Sequence, residues 1–176
     1  INLLPGNCKV CNFNCIYCEC GWSDPEDPAT ASFPSREEYS EVLEAKLKDL
    51  KNGQNLPDAI TFAGNGEPTL HPEFEDIINE TIRLRNAYAP GITIAVLTNG
   101  TRIHKESVFR ALNKVDQNII KLDSAVEDTI LKMNQPRTRF KLELFIEQLL
   151  RFEGNFILQS LFFRGQFRDS FIDNTT

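Results

Sequence analysis

A chain of 176 residues, 41% apolar and 25% charged, has the make-up of one globular domain, read here as a single unit over residues 1–176. No run approaches the ~18 apolar residues that span a bilayer, and no basic-then-apolar leader opens the chain, so the expected setting is cytoplasmic and reducing, with no membrane partner. The net charge of −6, from 25 acidic and 19 basic side chains, argues against broad contact with nucleic acid, which needs clustered Lys and Arg, and leaves room for a small local basic patch.

Ile1-Asn2-Leu3-Leu4 reads as an apolar strand with nothing before it. At the other end, Asp173-Asn174-Thr175-Thr176 offers helix N-cap residues with no helix to follow. The chain therefore reads as a fragment cut at both ends. Five cysteines crowd into "CKVCNFNCIYCEC", residues 8–20, and a polar, proline-broken loop follows from Ser23 to Pro28. Ser35 opens a helix, with Glu38 completing a capping box and Tyr39, Val42, Leu43, Leu47 and Leu50 forming an apolar stripe up to Asn52-Gly53.

A short strand, Ala59–Phe62, runs into Gly64-Asn65-Gly66-Glu67-Pro68. Helical period resumes at Phe74, Ile77, Ile78 and Ile82, and Ala89-Pro90-Gly91 stops it. Ile92–Leu97 is a β-branched strand closed by Thr98-Asn99-Gly100; a helix fits 104–113, and a strand fits 118–123. Helical pieces return at Glu127–Met133 and Leu142–Leu150, separated by Gln135-Pro136, before a last strand over 155–163. Late basic residues, Arg137, Arg139, Lys141, Arg151, Arg164 and Arg168, read as solvated faces. His71 and His104 read as caps. The β–α alternation implies an α/β fold with parallel strands under helices. Five strands cannot close an eight-stranded barrel of ~250 residues, which leaves an open, curved sheet with its polar strand ends at one mouth.

The thiols admit three readings. Disulfides suit neither the odd count nor a reducing compartment. Cys8-x2-Cys11 and Cys15-x2-Cys18 are each a zinc knuckle, though only three residues separate them, against roughly a dozen or more in zinc ribbons. Cys11-x3-Cys15-x2-Cys18 offers three ligands to a four-iron cube, whose ligands can come from one tight loop. Cys8 and Cys20 have no assigned role.

Cys11-Asn-Phe-Asn-Cys15-Ile-Tyr-Cys18 resembles the signature of the radical S-adenosylmethionine (SAM) superfamily, and Gly64-Asn-Gly-Glu67-Pro resembles its Gly-Gly-Glu-Pro motif. "GNGEPTLHPEF", "TNGT" and "KLDS" are similar to the branch that includes the wyosine-type tRNA-modifying enzymes. The resemblance implies a partial (β/α)6-type open TIM-like barrel of parallel strands, here truncated at both ends. It implies a [4Fe-4S] cluster on Cys11, Cys15 and Cys18, with SAM chelating the iron that no cysteine holds. One-electron cleavage of SAM would then give a 5′-deoxyadenosyl radical that abstracts hydrogen from a substrate. The implied partners are SAM and an electron donor such as flavodoxin or ferredoxin.

By the same resemblance, Tyr17 lies near the adenine, Gly64 and Gly66 let backbone approach the ligand, and Glu67 accepts from the methionine ammonium. Asn99, Lys121, Asp123 and Ser124 match strand-end positions that meet the methionine carboxylate or ribose, and Gln159 points to the mouth or to a polar core contact. No catalytic side chain is singled out. The substrate stays open, with tRNA poorly supported by the net charge. An iron–sulfur electron-transfer or structural protein without SAM chemistry, and a zinc-binding interaction module, remain the alternatives.

Overall fold

A computed structural model describes residues 1–6, 8–23 and 32–175; the loop expected over Asp24–Pro28 lies outside the described residues. Ser35 caps α1 (Arg36–Asn52) with both halves of the capping box, and Gly53 ends the helix. Tyr39, Leu43 and Leu47 turn inward, but Val42 is 71% exposed: one residue before Leu43, it lies about 100° round the helix from the buried row.

β1 (Ala59–Phe62), β2 (Thr93–Thr98), β3 (Gln117–Lys121) and β4 (Ile157–Gln159) form one sheet in chain order, with every pair parallel. Parallel neighbours need crossovers, which α2 (Phe74–Tyr88), α3 (Glu106–Leu112), α4 (Glu127–Asn134) and α5 (Leu142–Leu150) supply. Ile60, Phe62, Ile94, Val96 and Ile120 alternate toward the helices and share one core with Leu47, Ile77, Leu84, Leu112 and Phe145. Thr61, Leu97, Ile119 and Lys121, on the other face, stay only half-buried. A sheet packed on one face and open on the other gives the α/β, open TIM-like barrel arrangement of parallel strands that the sequence implies.

Two expected strands differ. Leu3 and Leu4 are buried, yet Ile1–Leu4 forms no regular strand. Only Ile1 pairs with the β1 edge, donating to Thr61 and accepting from Ala63. The Asn2 side chain then binds both the N–H and the carbonyl of Leu4, curling the chain away, and Pro5 has no N–H to resume a ladder. The strand expected over 155–163 shrinks to Ile157–Gln159, because Asp123 Oδ1 takes the Leu161 N–H at 2.8 Å and ends the ladder.

The chain continues instead into an antiparallel hairpin, β5 (Arg164–Phe167) and β6 (Ser170–Asp173), with Arg168 in the left-handed region at its turn. Asn174 caps no helix. Its side chain accepts from Phe163 N and donates to the carbonyls of Asp123 and Leu161, tying the hairpin to the end of β3.

The turn after β1 depends on two glycines. Gly64 has φ 153° and Gly66 φ 144°. A Cβ at Gly64 would stand 2.4 Å from Asn2 Oδ1, and one at Gly66 only 1.9 Å from the Val10 carbonyl oxygen. The close approach these glycines permit is therefore to the chain's own first ten residues. Gly66→Ala is expected to cost about 2 to 3 kcal/mol. Gly53→Ala, where the backbone is ordinary αR and the nearest atom 3.5 Å away, is expected to stay within about 0.5 kcal/mol. Urea unfolding of the two variants checks the contrast.

Candidate functional site

Val10 and Gly66 form an isolated parallel bridge: Val10 N donates to Asn65 O at 2.9 Å, and Glu67 N donates to Val10 O at 3.0 Å. The next residue is Cys11, so the glycine turn fixes the start of the cysteine loop at the carboxyl end of β1. The far side of the loop is held by the end of α4. Asn14 N donates to Asn134 O, Ile16 N to Met133 O at 2.8 Å, and Phe13 bridges Pro136. Gln135, in the left-handed region, turns the chain there. Phe13 is buried against the Phe140 ring, 6.0 Å away between centroids.

All five cysteines are free thiols in this structure. Three of their sulfurs accept from nitrogen. Cys11 Sγ takes Phe13 N at 3.4 Å and Asn99 Nδ2 at 3.7 Å. Cys15 Sγ takes Asn134 Nδ2 at 3.4 Å, and Cys18 Sγ takes Lys9 Nζ at 3.2 Å. Cys20 differs, its thiol meeting the Gly64 carbonyl at 3.6 Å. Burial pushes the Cys11 thiol up to about 12 and also raises Cys15, against the pull of its Asn134 contact. Desolvated thiols of this kind become thiolates when a metal centre supplies the positive charge.

Donor chemistry thus fits a cluster carried by Cys11, Cys15 and Cys18: three sulfurs from one loop, each with an N–H donor. Among the described residues no group of three or more His, Cys, Asp or Glu is placed to hold a single ion, which gives the zinc reading no support. A four-iron cube asks less, since its ligands sit on different irons and need not converge on one point.

Glu67 is 2% exposed, and both oxygens of its carboxylate accept hydrogen bonds. Oε1 accepts from Thr69 N at 3.1 Å and from the hydroxyls of Thr69 and Thr98; Oε2 accepts from Asn99 N at 2.7 Å. Burial raises its carboxyl above the ordinary range while these donors pull it back. A carboxylate offers about four acceptor positions. Three donors fall on Oε1 and one on Oε2, so Glu67 clamps the ends of β1 and β2 together and keeps an acceptor position on Oε2.

Asn99 continues the clamp toward the sulfur. Its Nδ2 reaches Asn12 Oδ1 at 2.8 Å besides Cys11, and its Oδ1 accepts from Thr101 N and Oγ1. Asp123, whose side chain has no exposed surface, accepts from Tyr17 Oη and from Asn134 Nδ2 at 2.6 Å, and meets Lys121 Nζ at 3.6 Å. Burial raises the Tyr17 phenol far above its usual range. Lys121 Nζ lies 4.9 Å from the centre of the Tyr17 ring.

Tyr17, Asn99 and Asp123 therefore gather around the cysteine loop with Gly64, Gly66 and Glu67. Ser124 does not: its hydroxyl accepts from Val126 N at 3.0 Å in an exposed turn. Gln159 pairs in register with Lys121 on the half-buried face, 3.0 Å from Leu122 N through its carbonyl. His71 binds Pro34 O and accepts from Glu73 N, and His104 meets Thr101 O, as caps do.

Two residues at this site carry no sequence signal strong enough to find them. Asn134, 1% exposed at the end of α4, touches Cys15 Sγ, Tyr17 Oη and Asp123 Oδ2 with one amide nitrogen. Lys9 is buried, and its ammonium meets Gly21 O at 2.6 Å and Cys18 Sγ, with no carboxylate beside it among the described residues. Its place inside the cysteine run was the available hint.

Comparison with known proteins bears on this loop. The family profile described as the radical SAM superfamily matches residues 8–163. Among curated relatives, the chain is 31% identical over 148 residues to a protein named GTPase Obg of Brachyspira hyodysenteriae, covering 84% of this chain and 20% of that one. It is 30% identical over 156 residues to a UPF0026 protein of Methanocaldococcus jannaschii, covering 89% and 46%. The chain thus spans between a fifth and about half of the length of such relatives.

Two solved structures share the fold. Native anSMEcpe with bound AdoMet superposes with a TM-score of 0.59 at 20% identity, covering 89% of this chain and 43% of that one. TYW1 with a lysine-pyruvate adduct bound gives 0.56 at 19% identity, covering 90% and 54%.

A thiol titrating near 12 is thiolate in only about one molecule in ten thousand at pH 8. In metal-free protein, iodoacetamide labelling of Cys11, followed by peptide mass spectrometry, is expected to quicken about tenfold per pH unit from pH 8 to 10. An ordinary thiol would level off near pH 9.

Proposed function

The chain belongs to the radical SAM superfamily, and on that footing we propose that residues 1–176 form one radical SAM core that holds a [4Fe-4S] cluster on Cys11, Cys15 and Cys18 and binds SAM beside it. The observation that carries this reading is the Val10–Gly66 bridge, which seats the three-cysteine loop on the strand end that also presents Glu67 and, through it, Asn99. When bound, cluster and SAM supply one-electron cleavage of SAM to methionine and a 5′-deoxyadenosyl radical, which takes hydrogen from a substrate.

The chain's own groups hold, orient and tune. The three thiolates anchor the centre, and the N–H groups of Phe13, Asn99 and Asn134 draw electron density from two of the sulfurs, which favours the reduced form. Lys9 adds a buried positive charge at the third. Tyr17, Gly64, Gly66, Glu67, Asn99, Asp123 and Ser124 are the SAM contacts in this proposal. Glu67 also fixes the backbone of Asn99 and the hydroxyls of Thr69 and Thr98. The electron comes from a donor such as flavodoxin or ferredoxin. No observation favours tRNA over another substrate.

Anaerobic reconstitution with iron, sulfide, SAM and a reductant tests the assignment. The chain is expected to take up about four irons and to release 5′-deoxyadenosine. Alanine at Cys11, Cys15 or Cys18 is expected to remove most of both, and alanine at Cys8 or Cys20 to preserve both. A full cluster that never yields 5′-deoxyadenosine would move the chain to the electron-transfer class.

A further inference from the structure

A cleft of about 660 Å³ opens between the loop after β2 and the segment joining α4 to α5. That volume lies within the range of small-molecule sites, about 300–1,000 Å³. Its wall touches the cysteine loop at Asn12 and Phe13. Arg102, His104, Arg139 and Lys141 line it, and no Asp or Glu does, although acidic residues outnumber basic ones in the chain by 25 to 19.

The basic groups are not equivalent. Lys141 is paired with Glu127 at 2.8 Å, and His104 is tied to Thr101 O. Among the described residues no carboxylate pairs with Arg102 or Arg139, and Arg102 Nε is buried with no hydrogen-bond partner. Other late basic residues behave as solvated faces do: Arg151 pairs with Glu106, Arg164 with Asp173, and Arg168 lies over the Trp22 ring. Arg102 and Arg139 therefore bring to the cleft wall two guanidinium groups that no carboxylate among the described residues neutralises. The wall also carries an apolar patch, with Phe13, Phe140 and Phe145 in a connected ring cluster, centroids 6.0 and 5.6 Å apart.

We propose that this cleft binds a small amphiphilic anion, a phosphate or carboxylate on a flat apolar body. Arg102 and Arg139 receive the charged head, since a guanidinium fork matches either oxyanion. The phenylalanine cluster receives the flat body by stacking or edge contact. The proposal does not rest on the cluster chemistry, and the metal-free chain suffices to test it.

The test is titration calorimetry with 1-naphthyl phosphate, 1-naphthoate, 1-naphthol and inorganic phosphate as probes. One of the two organic anions is expected to bind about tenfold or more tightly than both naphthol and inorganic phosphate, and the better of the two identifies the head group. Arg102→Gln and Arg139→Gln are each expected to weaken that probe about tenfold with unchanged circular dichroism, while Lys105→Gln, outside the cleft, leaves it unchanged. Naphthol binding as well as the anions, binding indifferent to both arginines, or no saturable binding of any probe would overturn the proposal.

Discussion

The Glu67 carboxylate lies buried where three chain segments meet, and the site depends on its four hydrogen bonds. Two come from Thr69, one from the Thr98 hydroxyl and one from the Asn99 backbone. A buried charge is tolerated only when its acceptors are satisfied. Satisfying them locks the end of β1 to the end of β2. The neighbouring backbone of Glu67 and Asn65 then grips Val10, and through Val10 the first cysteine of the loop. Loss of the Asn99 contact would leave Oε2 without its donor as well as a looser loop.

A second anchor closes the loop from the opposite side. Asp123 takes Tyr17, Asn134 and Leu161 N on one carboxylate, so the end of β3, the loop and the chain after β4 share a single acceptor. Between the two carboxylates the sulfurs of Cys11 and Cys15 are held by amide donors, with Lys9 at Cys18. The negative charge of a thiolate cluster would find these donors already placed. Orientation is thus built into the protein before any cofactor arrives, as catalysis by a bound cofactor requires.

Much of the frame was legible because it rests on local rules. The capping box at Ser35, the stop at Gly53 and the β-branched run before Thr98 read directly as α1 and β2. The cysteine spacing and the glycine turn likewise marked two chain segments that the fold joins at Val10 and Gly66. Less legible were features decided by distant partners. Ile1–Leu4 looked like a strand, but the Asn2 side chain competes for its backbone. The last strand looked long, but Asp123 intercepts its ladder. The structural role of Glu67 was hidden too, since nothing in sequence tells that Thr69, Thr98 and Asn99 converge on it. Asn134 was invisible for the same reason: a polar residue ending an apolar helix face gains meaning only when Cys15 and Tyr17 fold onto it.

The central claim is that three cysteines hold the cluster and leave one iron for SAM. Electron paramagnetic resonance of the reduced, reconstituted chain tests it most directly, recorded before and after adding SAM labelled with ¹⁵N at its amino group. The account predicts a changed spectrum and a nitrogen coupling from the label. A spectrum indifferent to SAM, from a fully loaded cluster, would mean that no iron is open and would contradict it.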